Sequence, residues 1–300
     1  MTTISKNPGI HMTTDDAKIN DVSDTALWVA YYRACETARP DSLFSDPLAR
    51  VLIGERGEQI AAYMKSTARY TEWAVIIRTV IIDNYINDLI KDGVDTIINL
   101  GAGMDTRPYR MTLPKTLRWI EVDYPHIIAH KESTLKSETP SCQLTRIAVD
   151  LSNDNERKKL FGELASQSGK ALIITEGVIP YLSEDQTAAL ACDLFDQPNF
   201  VYWIAEYFAP EVYRYLQTRR QSEKMKNAPF QFFPINWFGF FERNGWKPRT
   251  IRYTSEESIR LNRAVPMPWF AFLFKLLASK AVIEKSKKMT GYIVFEKINR

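Results

Sequence analysis

Val94-Asp95-Thr96-Ile97-Ile98-Asn99-Leu100-Gly101-Ala102-Gly103-Met104-Asp105 is the stretch that decides the fold. Residues 94–100 are largely apolar without strict alternation, the pattern of a strand buried on both faces. Gly101 and Gly103 follow at once, and they allow a tight turn and a close backbone approach to a ligand that a Cβ would obstruct. A dinucleotide fingerprint would continue with a third glycine at position 106, where this chain has Thr106. Taken alone, the pair is equally compatible with an ordinary strand-to-helix turn.

Working outward, residues 117–122, 145–149, 171–175 and 200–205 are further short β-rich runs, separated by helical stretches. Strand and helix alternating over a hundred residues predict a parallel sheet with helices on both faces. Residues 249–253 and 291–296 are expected to close its far edge. Upstream, Asp24-Thr25-Ala26-Leu27-Trp28 opens one helix and residues 70–90 form a long apolar one. Downstream, residues 207–225 read as helix and 227–237 as an aromatic, proline-broken insertion of the kind that shapes pockets.

The chain has 300 residues, 45% apolar and 25% charged, the composition of a globular protein with a sizeable core. No internal repeat or low-complexity linker divides it, so one elaborated domain is expected over 1–300. Residues 1–23 read as a loose tail without a secretory signal, 24–92 as N-terminal helices, 93–206 as a ligand-binding core and 207–300 as lid and closing strands. The net charge of +3 is scattered and does not call for nucleic acid. Three cysteines form no CxxC pair, which suits a reducing, cytoplasmic setting. His126 and His130 are spaced i, i+4, but Ile127 stands where a HExxH zinc motif needs Glu, so no metal is expected. Residues 269–283 are apolar but short and interrupted by Lys275 and Lys280, which excludes a membrane span. A packed helix is favoured there over a lid or a membrane-surface helix.

Four strand-end features, Gly101, Asp123, Asp150 and Glu176, are expected to converge in the crevice outside the carboxyl ends of the sheet. Asp123 closes the second strand about twenty residues beyond Gly103, the spacing at which a carboxylate accepts from ribose hydroxyls; a helix cap before Pro125 is the alternative. Asp150, with Leu151 beside it, repeats the arrangement at the third strand, where an adenine amino group or a cap are the two readings. Glu176 ends the fourth strand. Arg78 sits in an almost continuously apolar helix, where an unpaired guanidinium would cost several kcal/mol. It needs an anion, supplied either by the fold or by a ligand carboxylate gripped bidentately.

The chain also carries an ordered set of segments: Ala26-Leu27-Trp28-Val29-Ala30, Phe44-Ser45-Asp46-Pro47-Leu48-Ala49, Gly101-Ala102-Gly103-Met104-Asp105-Thr106-Arg107, Glu121-Val122-Asp123 and Glu176-Gly177-Val178-Ile179-Pro180-Tyr181-Leu182. Over residues 24–206 the chain resembles the leucine carboxyl methyltransferase family of S-adenosylmethionine-dependent enzymes. The resemblance implies a Rossmann-like class I methyltransferase sheet with N-terminal helices and a helical, aromatic lid. It also implies S-adenosylmethionine as cofactor. It places the methionine carboxylate on Arg78, Gly101, Gly103 and Asp105 along the methionine and ribose, Asp123 on the ribose hydroxyls, Asp150 and Leu151 at adenine, and Glu176 near the amino group.

The resemblance further implies methyl transfer to oxygen. For a small or medium acceptor, such as a polyketide or peptide-like metabolite or its carrier-bound form, the aromatic segment favours a hydroxyl over a carboxylate. Tyr181, Tyr207 and Trp237 are the expected pocket residues, with Tyr181 and Glu176 as candidate bases for a hydroxyl. A carboxylate would need none. Two other functions stand beside this one: an NAD-dependent oxidoreductase, which Thr106 argues against, and a binding module without activity.

Overall fold

The computed structural model describes residues 19, 21–64, 68–216, 226–266 and 278–298. Three helices come first. α1 (Val22–Thr37) is capped by the Asp21 carboxylate, which accepts from the Asp24 N–H. It therefore starts two residues before Asp24, because the capping carboxylate is Asp21. α2 (Pro47–Tyr63) is capped by Asp46 with Pro47 in its first turn. α3 (Ala68–Lys91) is the long apolar helix.

The α/β alternation follows as β1 (Thr96–Leu100), α4 (Arg107–Arg110), β2 (Arg118–Asp123), α5 (Pro125–Thr134), β3 (Gln143–Ala148), α6 (Asp154–Ser166) and β4 (Ala171–Ile174). Next come α7 (Glu184–Phe195), opened by a Ser183/Gln186 capping box, β5 (Phe200–Phe208) and α8 (Pro210–Leu216). The chain closes with α9 (Trp237–Arg243), β6 (Trp246–Tyr253), α10 (Thr254–Arg260), α11 (Lys280–Lys287) and β7 (Thr290–Lys297).

The seven strands form one sheet in the order β3-β2-β1-β4-β5-β7-β6. β1 to β5 are parallel, and β7 pairs antiparallel with both β5 and β6. The expected far-edge strands are therefore present, with the last strand in sequence inserted between β5 and β6. All five residues of β1 and all four of β4 are buried, as their apolar runs predict. One face of the sheet packs Ile98, Leu100 and Ile173 against Phe161, Leu164 and Leu190 of α6 and α7. The other packs Ile97, Trp119 and Ile174 against Ile77, Ile81 and Ile86 of α3. The chain reverses its direction across the sheet between β1 and β4, so a crevice opens outside their carboxyl ends.

Downstream of β5 the expectations need correction. Tyr207 is in β5, not in a helix, because the antiparallel pairing with β7 continues through Tyr207 and Phe208. Helix follows only at α8, and residues 217–225 lie outside the described residues. The aromatic segment is mostly core: Phe232, Trp237, Phe240 and Phe241 are buried, with Phe233 and Phe238 packed against them. Phe241 meets Trp203 edge-on at 5.3 Å and Trp237 stacks on Phe295 at 5.6 Å, so α9 covers the sheet instead of forming a lid. Of the stretch 269–283, residues 269–277 lie outside the described residues. Its described end enters α11, which has no buried residue and exposes 57% of Val282; the packed-helix expectation does not hold there. Most of the tail, 1–18 and 20, is also outside the described residues. Among the described residues no helix is long and apolar enough to cross a membrane.

Candidate functional site

The crevice at the reversal point is a cavity of about 1530 Å³. Its floor begins with the turn after β1. Gly101 has φ +66° and Gly103 φ +47°, the left-handed region that favours glycine. A Cβ on Gly101 would come within 2.6 Å of the Val178 side chain, and one on Gly103 within 3.0 Å of Ala26. The turn thus presents bare backbone to the cavity. The Gly103 N–H donates to Asp123 Oδ2 at 2.6 Å and the Tyr124 N–H to Oδ1 at 2.7 Å. Burial nevertheless raises the Asp123 carboxyl above its ordinary range, against these two bonds. A buried carboxylate beside a glycine cradle is poised to gain from further donors.

Asp150 lies apart from this wall. Its Oδ1 accepts from the Ser152 N–H at 2.9 Å, an Asx turn that leads towards α6. The residues that reach the cavity from this loop are Val149, Leu151 and Ser152. Leu151 is fixed through its carbonyl, which accepts from Arg157 Nη1 at 2.8 Å.

A charged cluster forms the opposite wall. Arg78 Nε lies 2.7 Å from Glu176 Oε1, a contact of charges without aligned hydrogen-bond geometry. Arg107 Nη1 donates to Glu176 Oε2 and to Asp105 Oδ2, both at 2.8 Å. Arg107 Nε donates to Asp83, and Asn99 donates to Asp105. The fold therefore supplies the anion that Arg78 requires, while both Arg78 and Glu176 still face the cavity. Burial pushes the Glu176 carboxyl up, but the Arg107 and Arg78 guanidinium groups outweigh it and hold the group below its ordinary range. Asp105 is likewise held low, against burial, chiefly by Arg107.

Tyr181 lines the cavity edge-to-face with Phe230 at 5.0 Å, and burial raises its hydroxyl. Tyr207 and Trp237 do not line it; they pack on each other at 5.2 Å inside the aromatic core. Their assignment to the pocket is thus corrected, because β5 continues through Tyr207 and packs its ring on Trp237, the first residue of α9. His126 and His130 contact Ser23 Oγ and the Leu52 carbonyl, and no metal-holding cluster occurs among the described residues.

Sequence reasoning passed over three groups. Arg107 stands in the quoted motif but received no role, although it joins Asp83, Asp105 and Glu176. Tyr292 reaches the cavity from β7, whose place in the sheet no local pattern announces. Glu206, one residue beyond the expected end of β5, is 3% exposed, and neither carboxyl oxygen makes an aligned hydrogen bond.

Burial pushes Glu206 up to about 8, and the Arg78 charge offsets only part of it. An acid whose folded value is raised leaves stability unaffected below the unfolded value near 4.5 and lowers it progressively as pH rises towards 8. Glu206→Gln should therefore gain little at pH 4 and on the order of 2–4 kcal/mol at pH 8. Urea unfolding at the two pH values measures this; an equal gain at both would contradict it.

The leucine carboxyl methyltransferase family model matches residues 26–194, more than half of the chain and the segment that supplies the glycine turn, Asp123, Arg78 and Glu176 to this cavity. The chain belongs to the leucine carboxyl methyltransferase family. A Streptomyces coelicolor protein named as an S-adenosyl-L-methionine-dependent methyltransferase is 33% identical over 188 residues, 58% of this chain and 64% of that protein. One from Parafrankia, named likewise, is 28% identical over 282 residues, 88% of each. The crystal structure of a DUF574 family protein from Streptomyces avermitilis superposes with a TM-score of 0.60 at 13% identity, covering 95% of this chain and all of that one. A methyltransferase-like structure from Thermobifida fusca gives 0.54 at 14% identity, covering 95% and 97%. These likenesses show the fold, a class I methyltransferase sheet. As a member of this family the chain is an S-adenosylmethionine-dependent methyltransferase. The residues present fit that cofactor: a glycine turn with no room for a Cβ, whose bare backbone lines the cavity, a buried carboxylate bound to that turn, and a second carboxylate paired with a guanidinium that also line the cavity.

Proposed function

We propose that this methyltransferase acts on an oxygen of a small or medium organic acceptor bound in the same cavity as the cofactor. Its size carries the reading: about 1530 Å³ exceeds the roughly 300–1,000 Å³ of a single-ligand pocket, leaving room for donor and acceptor together. In this arrangement Asp123 accepts from the ribose hydroxyls, Gly101, Gly103 and Asp105 lie along the ribose and methionine, and Leu151 flanks adenine. Arg78 takes the carboxylate and Glu176 the ammonium of the amino-acid tail. Asp150 serves adenine through the turn it shapes. Bound there, S-adenosylmethionine supplies an electrophilic sulfonium methyl group. The chain's own part is to bring the acceptor oxygen into line with it, which is catalysis by proximity and orientation. The acceptor side is contributed by C-terminal residues including Phe208, Val212, Phe230 and Ile259.

An acceptor that arrives already ionised suits this cavity best, a carboxylate first. Among the described lining residues there is no histidine, Glu176 is held between two guanidinium groups, and burial keeps the Tyr181 hydroxyl protonated. A hydroxyl of a polyketide or peptide-like metabolite is the second reading. The Tyr181–Phe230 pair favours it, as an aromatic wall for a flat apolar acceptor. Incubation with methyl-labelled S-adenosylmethionine and a panel of aromatic acids and phenols tests both. Label released by mild alkali identifies a methyl ester, as expected; label that survives identifies an ether. Transfer to neither class would overturn the assignment to oxygen.

A further inference from the structure

The Phe44-Ser45-Asp46-Pro47-Leu48-Ala49 motif lies outside the cavity wall, yet Asp46 is completely buried and its carboxylate is fully engaged. Oδ1 accepts from Thr106 Oγ1 at 2.6 Å and from the Ala49 N–H at 3.1 Å; Oδ2 accepts from Arg33 Nε at 2.8 Å. Arg33 then reaches on through Nη2 to the Met104 carbonyl at 2.5 Å. The Asp46 N–H in turn donates to Thr37 Oγ1 at 2.8 Å. One carboxylate therefore ties α1 and α2 to both ends of the segment 104–106, the distal half of the glycine turn.

We propose that Asp46, Arg33 and Thr106 are positioning residues for the cofactor turn. Gly101 and Gly103 give the turn left-handed freedom, and bare backbone has no side chain with which to hold itself in place. The tether supplies that hold from behind. With Met104 and Thr106 fixed, the Gly103 N–H is aimed at Asp123 Oδ2 and Arg107, the next residue, starts α4 in reach of Asp105 and Glu176. It also accounts for Thr106 where a dinucleotide fingerprint has glycine: the hydroxyl donates to the buried carboxylate, and glycine would leave that oxygen short of a partner. Precise support of binding groups by buried hydrogen bonds is what keeps such a site preorganised. The inference rests on the proposed cofactor contacts of Gly103 and Asp123.

The test compares Thr106→Val, which keeps the shape and removes the donor, with Thr106→Ser, which restores it. Titration with S-adenosylhomocysteine should show Thr106→Val about tenfold weaker than the parent chain and Thr106→Ser close to it. Amide exchange of residues 101–107 should be faster in Thr106→Val and normal in Thr106→Ser, a change that a role confined to holding α2 would not produce. Asp46→Asn should shift both readouts in the same direction as Thr106→Val; if it fails to fold, the Thr106 pair decides. Equal affinity and equal exchange in Thr106→Val and the parent would overturn the proposal. Failure of the parent chain to bind, or of Asp123→Ala to weaken binding, would overturn instead the cofactor-site reading beneath it.

Discussion

Glu176→Gln is expected to destabilise the protein by about 3 kcal/mol and to abolish measurable cofactor binding. Glu176 shares its two oxygens between Arg78 and Arg107, at 2.7 and 2.8 Å, with all three side chains at most 15% exposed. Removing one partner from a buried ionic cluster leaves uncompensated charge, which costs about 3–5 kcal/mol. Arg107 keeps Asp83 and Asp105, so the loss should stay at the lower end and fall mainly on Arg78. Arg78 would then face the Glu206 carboxyl, which burial pushes up from its ordinary range, and the Tyr292 hydroxyl. The glutamine also loses the charge proposed to meet the cofactor ammonium. Chemical unfolding and calorimetric titration with S-adenosylhomocysteine check the two effects separately. Unchanged stability would mean that the cluster is not held together by Glu176.

Asp123→Ala should lose affinity for S-adenosylhomocysteine by about 100-fold as well, but keep the fold. Two charge-assisted hydrogen bonds to ribose, each contributing about 1.5 kcal/mol or more, set that scale. Stability should change little, because burial already disfavours the Asp123 carboxylate and offsets the bonds from Gly103 and Tyr124. Binding that survives the substitution would remove Asp123 from the site. The contrast in stability separates a residue that both holds the structure and meets the ligand from one that only waits for the ligand.

The sheet was legible because its strands announce themselves: residues 96–100 and 171–174 are buried on both faces and read as continuous apolar runs. Gly101, Gly103, Asp123 and Glu176 follow from strand ends, since local sequence alone places a residue at a carboxyl terminus. Arg78 was recognisable by its conflict with an apolar helix, although its partner, ninety-eight positions away, was not. The errors lie where a local pattern has two solutions. An aromatic run such as 230–241 serves a pocket or a core equally well: Phe232, Trp237, Phe240 and Phe241 join the core, while Phe230 lines the cavity. Asp150 could serve a cap or a ligand with the same carboxylate; it closes an Asx turn on Ser152, while Asn153 caps α6. Arg33 and Asp46 escaped notice as site residues because their contacts to residues 104 and 106 are purely tertiary.

A crystal structure of the protein with S-adenosylhomocysteine bound would decide where the cofactor sits. The ligand is expected in the cavity beyond β1 and β4, with its ribose hydroxyls on Asp123, its carboxylate on Arg78 and its ammonium beside Glu176. A ligand seated elsewhere, or one in the cavity that leaves Asp123 and Arg78 untouched, would contradict that placement.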